Sequence, residues 1–170
     1  KIPESPASLD RIYRAIDGLN LFGVTQATPL IWSFIKKYYS LGLYDGTNHR
    51  SHRKTLVNFF ESLENYHFIN NYILDRVGNE VEKVYARYAN DFSNINNESE
   101  FTTLLRNLYK TLKDKLATKQ EFISRFKEIE YSSANKGIYY ILDRFNSFDL
   151  SDPKLTRIPR SDRIRIYFAH

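Results

Sequence analysis

His49 and His52 stand three residues apart, a spacing that puts two imidazoles on one helical face, and in a chain with four His and no Cys they are the nearest approach to a metal pair. A zincin needs two His one turn apart with a Glu between them. Here the neighbours are Arg50, Arg53 and Lys54, whose charge opposes a divalent cation, so the pair reads as the solvated start of a helix. Glu128 with Glu130 and Asp149 with Asp152 offer carboxylates for acid and base work, but spacing alone does not make them converge, and they read as helical surface. Ser132 and Ser133 have no His nearby in sequence and read as helix caps. No two Gly lie close enough to form a phosphate-cradling turn before a helix. The sequence therefore assigns no catalytic residue and no metal ligand.

Charge is less evenly spread than chemistry. The chain carries 25 Lys and Arg against 20 Asp and Glu. Residues 47 to 54 contribute +3 through Arg50, Arg53 and Lys54, and residues 151 to 170 contribute another +3 through Lys154, Arg157, Arg160, Arg163 and Arg165 against Asp152 and Asp162, leaving −1 for the rest. Arg50, Arg53, Lys54, Arg157, Arg160, Arg163 and Arg165 are the candidate DNA-phosphate contacts, non-specific and salt-sensitive. A competing reading has Ile164, Ile166 and Phe168 pack the tail while its arginines are only solvated. Thirteen Tyr and twelve Phe invite base stacking, yet most fall on apolar stripes. Tyr38, Tyr39, Tyr85, Tyr88 and Phe92 are expected in the core or at a subdomain interface, and Trp32 is expected to pack.

The elements that position these residues read as helices. Ser5-Pro6 is a helix start, followed by the stripe Leu9, Ile12, Tyr13, Ile16 and Leu19, with Gly18 and Gly23 bracketing its end. Thr28-Pro29 opens a second helix on Leu30, Ile31, Phe34, Ile35, Tyr38 and Tyr39, and Gly42 fits a left-handed residue just past its end. The polar loop from Asp45 to Asn48 leads to a third, with Leu56, Phe59, Phe60 and Leu63 inward. A longer fourth helix is expected from Ile73 through Val77, Gly78, Val81, Val84, Tyr85 and Tyr88 to Phe92. Phe101 to Leu116 forms a fifth, Thr118 with Glu121 is a capping box opening a sixth, and Ile138, Ile141, Leu142 and Phe145 mark a seventh. Pro153 and Pro159 then stop regular helix. The expected fold is all-α, an irregular bundle of about six to eight helices, with a helical domain over 1–148 and an extended basic tail over 149–170. Ile12, Leu30, Phe34, Phe59, Val81, Leu104, Leu108, Phe126 and Leu142 are the expected core.

A chain of 170 residues with 42% hydrophobic and 26% charged composition can bury an ordinary core. Six Gly and five Pro are too few for a disordered or turn-rich chain. The absence of Cys excludes disulfide frameworks and thiolate chemistry and fits a reducing, cytoplasmic setting. No run of apolar residues is long enough to span a bilayer. A sequence that lacks Met and opens on Lys1 is expected to be a segment of a longer protein.

A helix ending at Leu41, a helical segment over Leu56 to Leu63, the stretch Phe68-Ile69-Asn70-Asn71-Tyr72-Ile73, a long helix to Phe92 and then Lys136-Gly137-Ile138-Tyr139-Tyr140-Ile141-Leu142 resemble the central helical region of GmrSD-type restriction endonucleases. In that family the region joins a ParB-like nucleotidase domain, marked by Asp-Gly-Gln-Gln-Arg, to a His-Asn-His nuclease domain. Neither motif falls within these residues, and Arg163 to His170 resembles the lead-in to the nuclease. The resemblance implies a non-catalytic scaffold or linker module of a nucleotide-dependent, modification-directed enzyme of bacterial phage defence. No cofactor is implied in this segment; the parent would use a nucleoside triphosphate and a divalent metal. The implied partners are the flanking nucleotidase and nuclease domains and DNA, with no membrane. The alternative is a free-standing helical domain that binds proteins or, non-specifically, nucleic acid. A small hydrolase using a Glu pair is a third reading.

Overall fold

A computed structural model describes residues 6–44, 49–76, 79–130 and 136–149. All of the regular structure there is helical: α1 (Pro6–Leu21), α2 (Thr28–Ser40), α3 (His49–His67) running into a π-helical turn (Phe68–Ile73), α4 (Asn79–Asn94), α5 (Glu98–Asp114), α6 (Lys119–Phe126) and α7 (Lys136–Asp149). This is the expected all-α class, with seven α-helices among the described residues. Contacts divide the chain into two compact units, Lys1–Ile129 and Glu130–His170. No helix among the described residues is long and apolar enough to cross a membrane.

Local chemistry sets the ends. After α1, the Gly23 N–H donates to Asn20 O at 3.1 Å and the Val24 N–H to Leu19 O at 3.0 Å. After α2 the same pair recurs as Gly42 to Tyr39 O at 3.0 Å and Leu43 to Tyr38 O at 3.2 Å. These double closures require a left-handed residue, supplied by Gly23 at φ +65° and Gly42 at φ +67°. Asn97 caps α5 by accepting from the Glu100 N–H at 2.9 Å. The capping box at α6 is present as expected: the Thr118 N–H donates to the Glu121 carboxylate at 2.8 Å and the Glu121 N–H to the Thr118 hydroxyl at 3.2 Å. Thr28 is the first residue of α2 rather than its cap, and Ala27 precedes it with no side-chain bond.

In the first unit α1 packs on α3, α2 on α4, and α5 on both α3 and α4. The buried side of α1 is Ala15, Gly18 and Leu19, and Arg11 ties it to α3 through two bonds to Glu61, Nε to Oε1 at 2.8 Å and Nη2 to Oε2 at 2.7 Å. The centre is aromatic. Phe34 of α2 lies parallel to Phe59 of α3 at 3.6 Å between centroids, and meets the edge of Phe92 at 5.7 Å and 90°. Phe101 touches Phe34 and Phe92, each at 5.4 Å. All four rings are essentially closed to solvent, and burying a side chain of this size contributes on the order of 2 to 3 kcal/mol. Lys37 Nζ donates to Ile95 O at 2.6 Å, fastening α2 to the end of α4.

Several expectations are corrected. Ile73 does not begin the fourth helix; it closes the π-helical turn, and α4 starts at Asn79. Val77 and Gly78 lie outside the described residues. Leu30, Phe34, Phe59, Val81 and Leu108 are buried as expected, whereas Ile12, Leu104 and Phe126 are half-buried at the edges of their stripes. Trp32 is 71% exposed, because two helical steps from Leu30 turn it by about 200°, to the far side of α2. Tyr39 follows buried Tyr38 by one step and is exposed as well. In the second unit, Gly137 and Ile138 in the first turn of α7 are buried, while Leu142 is exposed.

Candidate functional site

The buried polar side chains of the first unit gather where α3 becomes the π-helical turn: Glu64, His67 and Asn70 are each 2% exposed or less. His67 Nδ1 is 2.7 Å from Asn71 Oδ1, and His67 Nε2 is 2.9 Å from the hydroxyl of Tyr85 on α4. The Asn71 amide also reaches Arg76 O at 3.0 Å. A carbonyl only accepts, so the Asn71 NH2 faces Arg76 and its oxygen faces His67. The proton therefore sits on Nδ1, Nε2 carries the lone pair, and the Tyr85 hydroxyl donates to it. The polarity of the whole chain, from Tyr85 to His67 to Asn71 to Arg76, follows from that one carbonyl. Burial drives the His67 pKa down to about 4, against a smaller upward effect of the bond to Asn71. The imidazole is thus neutral at neutral pH. Burial, then the nearby Tyr66, pushes the Tyr85 hydroxyl well above its ordinary value, which keeps it a donor.

Asn70, the next residue of the turn, points its chemistry elsewhere. Its amide donates to Lys115 O at 3.1 Å and its oxygen accepts from the Ala117 N–H at 3.0 Å, so one side chain stitches both sides of the α5–α6 connection. Arg76 adds a bond from Nη2 to Glu121 Oε1 at 2.8 Å. The Glu121 pKa is lowered chiefly by the Thr118 backbone and side-chain bonds, with a smaller effect of Arg76. The loop between the π-helical turn and Arg76 is closed by Leu74 N donating to Ile69 O at 3.2 Å and Arg76 N to Asn70 O at 2.8 Å, with Asp75 at φ +53°, a left-handed conformation that Asp adopts more readily than most residues. Chemically the arrangement orients a neutral histidine and holds three chain segments in register.

The residues singled out in the sequence fall elsewhere. His52 is not solvated: its side chain is 13% exposed and its Nε2 is 3.2 Å from Glu98 Oε1 of α5, a carboxylate 46 residues away in sequence. Its Nδ1 has no partner among the described residues. Arg53 lies near Tyr38, and Lys54 is exposed. Arg50 lies in the first turn of α3. Glu128 pairs with Arg125 at 2.8 Å, and Glu130 is exposed. Asp149 ends α7; Ser132, Ser133, Asp152, Arg157, Arg160, Arg163 and Arg165 lie outside the described residues. No group of three or more His, Asp or Glu that could hold a metal occurs among the described residues.

The residues that sequence reasoning missed are His67, Asn70 and Asn71. Their signal was present: an ionisable residue on the inward stripe of a helix, followed by two adjacent asparagines where that helix ends. Asn competes for backbone partners and so marks a point where a helix is tied to something else. Comparison with protein-family models, with curated proteins and with solved structures finds no match to this chain.

Proposed function

We propose that the chain is a non-catalytic helical scaffold module of a nucleotide-dependent, modification-directed DNA restriction endonuclease, holding a nucleotidase and a nuclease domain in a defined relation in the cytoplasm. The observation that supports the scaffold reading is the His67 relay. The most deeply placed titratable group with a partner on each ring nitrogen is neutral, sealed from solvent and occupied on both sides by Tyr85 and Asn71, which is how a strut is built and not how a proton-transfer base meets a substrate. The enzyme class rests on the resemblance of the helical order and of Lys136 to Leu142. The nucleoside triphosphate and divalent metal belong to the flanking domains in this reading.

The test has two arms. The genomic reading frame that contains these residues should encode Asp-Gly-Gln-Gln-Arg upstream and a His-Asn-His motif downstream; a frame with neither removes the restriction reading. The purified chain with Mg²⁺ should neither hydrolyse nucleoside triphosphates nor cut DNA, and activity lost on Glu128→Gln or Glu130→Gln would replace the scaffold with a hydrolase. A second reading, a free-standing domain that binds nucleic acid or protein, is favoured by one observation, the exposed aromatic side of α2.

A further inference from the structure

The inward side of α2 is Leu30, Phe34 and Tyr38; its outward side is Thr28, Trp32, Lys36, Tyr39 and Ser40, all exposed. Trp32 is the only tryptophan of the chain. Just past the helix, Tyr44 is exposed and its ring lies 5.1 Å from that of Tyr39. A single exposed aromatic needs no explanation, but three along one edge are a patch. Lys36 stands four residues after Trp32 and three before Tyr39, one helical turn from each. Lys36 and Lys37 are the charged residues of α2, which contains no acidic residue.

We infer that this face docks single-stranded DNA, with unpaired bases stacking on Trp32, Tyr39 and Tyr44 while Lys36 meets the phosphates. Aromatic rings offer a flat apolar surface to any base, and Lys36, one turn from both Trp32 and Tyr39, offers a cation to the backbone between stacked bases. A duplex keeps its base faces stacked on one another, so it can use the cations but not the rings. Stacking and phosphate charge need no 2′-hydroxyl, so a deoxyribose strand suffices. Trp32 and Tyr39 are about 10 Å apart along the helix axis, which leaves room for successive bases to engage different rings. This inference goes beyond the scaffold reading and stands without it.

The experiment titrates fluorescein-labelled oligothymidylate with the 170-residue chain, reading anisotropy and, in parallel, Trp32 emission with unlabelled strand. Binding should quench Trp32 and weaken with salt, with a slope near −0.7 per phosphate contact. Trp32→Ala and Tyr39→Ala should each weaken binding roughly 5- to 150-fold, whereas Tyr39→Phe should bind like the parent. Lys36→Gln should weaken binding and flatten the salt slope. Both aromatic positions are exposed, and circular dichroism checks that the helices persist. The inference is overturned if neither alanine variant changes the affinity, or if duplex DNA binds as tightly as the single strand. It is equally overturned if polyglutamate binds as tightly with the same sensitivity to Trp32→Ala, or if the strand does not bind; self-association in sedimentation through Trp32 would then make a second copy the occupant.

Discussion

The rings of Phe34, Phe59, Phe92 and Phe101 are sealed at the centre of the first unit, whereas Phe22, Phe68, Tyr72, Phe122 and Phe126, linked ring to ring at 5.4 to 6.4 Å, all stay half-exposed at its shoulder. The two clusters use the same side chains in different energetic settings. At the centre, four helices enclose the rings, and non-directional apolar burial is sufficient. At the shoulder α6 has no buried residue, so ring contact alone would leave it loosely held. There the directional bonds of Asn70 and Arg76 set its position, and the Thr118 cap holds its first turn. Packing tolerates a change of shape better than it tolerates a hole; a polar tie tolerates neither the loss of a partner nor its displacement.

This contrast can be broken first at the centre. Phe34→Ala should lower the free energy of unfolding by about 3 to 5 kcal/mol in urea titrations, and a loss below about 1 kcal/mol would place the load-carrying cluster elsewhere. The next largest effect is acid. His67 has a folded pKa of about 4 against an ordinary 6.5, so on acidification the unfolded chain takes up the proton first. The contribution is complete above about pH 6.5 and is lost as pH falls toward 4, amounting to roughly 3 kcal/mol. Urea unfolding of the parent and of His67→Phe across that range should give a steeper pH dependence for the parent; parallel curves would show that the imidazole is not held neutral by burial. At the shoulder, Asn70→Ala leaves Lys115 O and Ala117 N–H without their partner, a loss of about 1 to 3 kcal/mol. Its signature is local: amide exchange over 117–126 should accelerate while that of α2 and α4 does not. Smallest is Thr118→Ala, about 1 kcal/mol, visible as fraying of α6 by nuclear magnetic resonance shifts without movement of the Phe34 resonances.

The centre was the legible half. Apolar residues recurring at helical spacing gave the stripes of α2, α3, α4 and α5, and glycine chemistry gave the end of α2 at Gly42, because both depend on residues close in sequence. Trp32 and Tyr39 were misread for a related reason: a rich apolar composition broadens a stripe, and only the tertiary partner decides which edge is covered. At the shoulder the Thr118–Glu121 capping box was legible, being local, but the bond of Asn70 with Ala117 joins residues far apart, as does that of His52 with Glu98 at the start of α3. Of the π-helical turn the sequence places only Ile73, and in the fourth helix, since no local propensity marks the wider register. Nothing in the spacing of Tyr85 announced that its hydroxyl would meet His67.

The π-helical turn carries one residue more than an α-helix needs to cover the same path, and its Leu74 to Ile69 closure spans five residues instead of four. Deleting a residue there would let the segment relax into the better-bonded α register, and everything beyond the cut would swing by about 100°. Local and global interests of the chain thus disagree at this point, a small frustration kept in place by what Asn70 and Asn71 reach on opposite sides. Drift that favoured the helix by itself would discard the extra residue. In descendants of this sequence the trait expected to be held is therefore the length of the segment from His67 to Arg76, ahead of the identity of the aromatic residues within it.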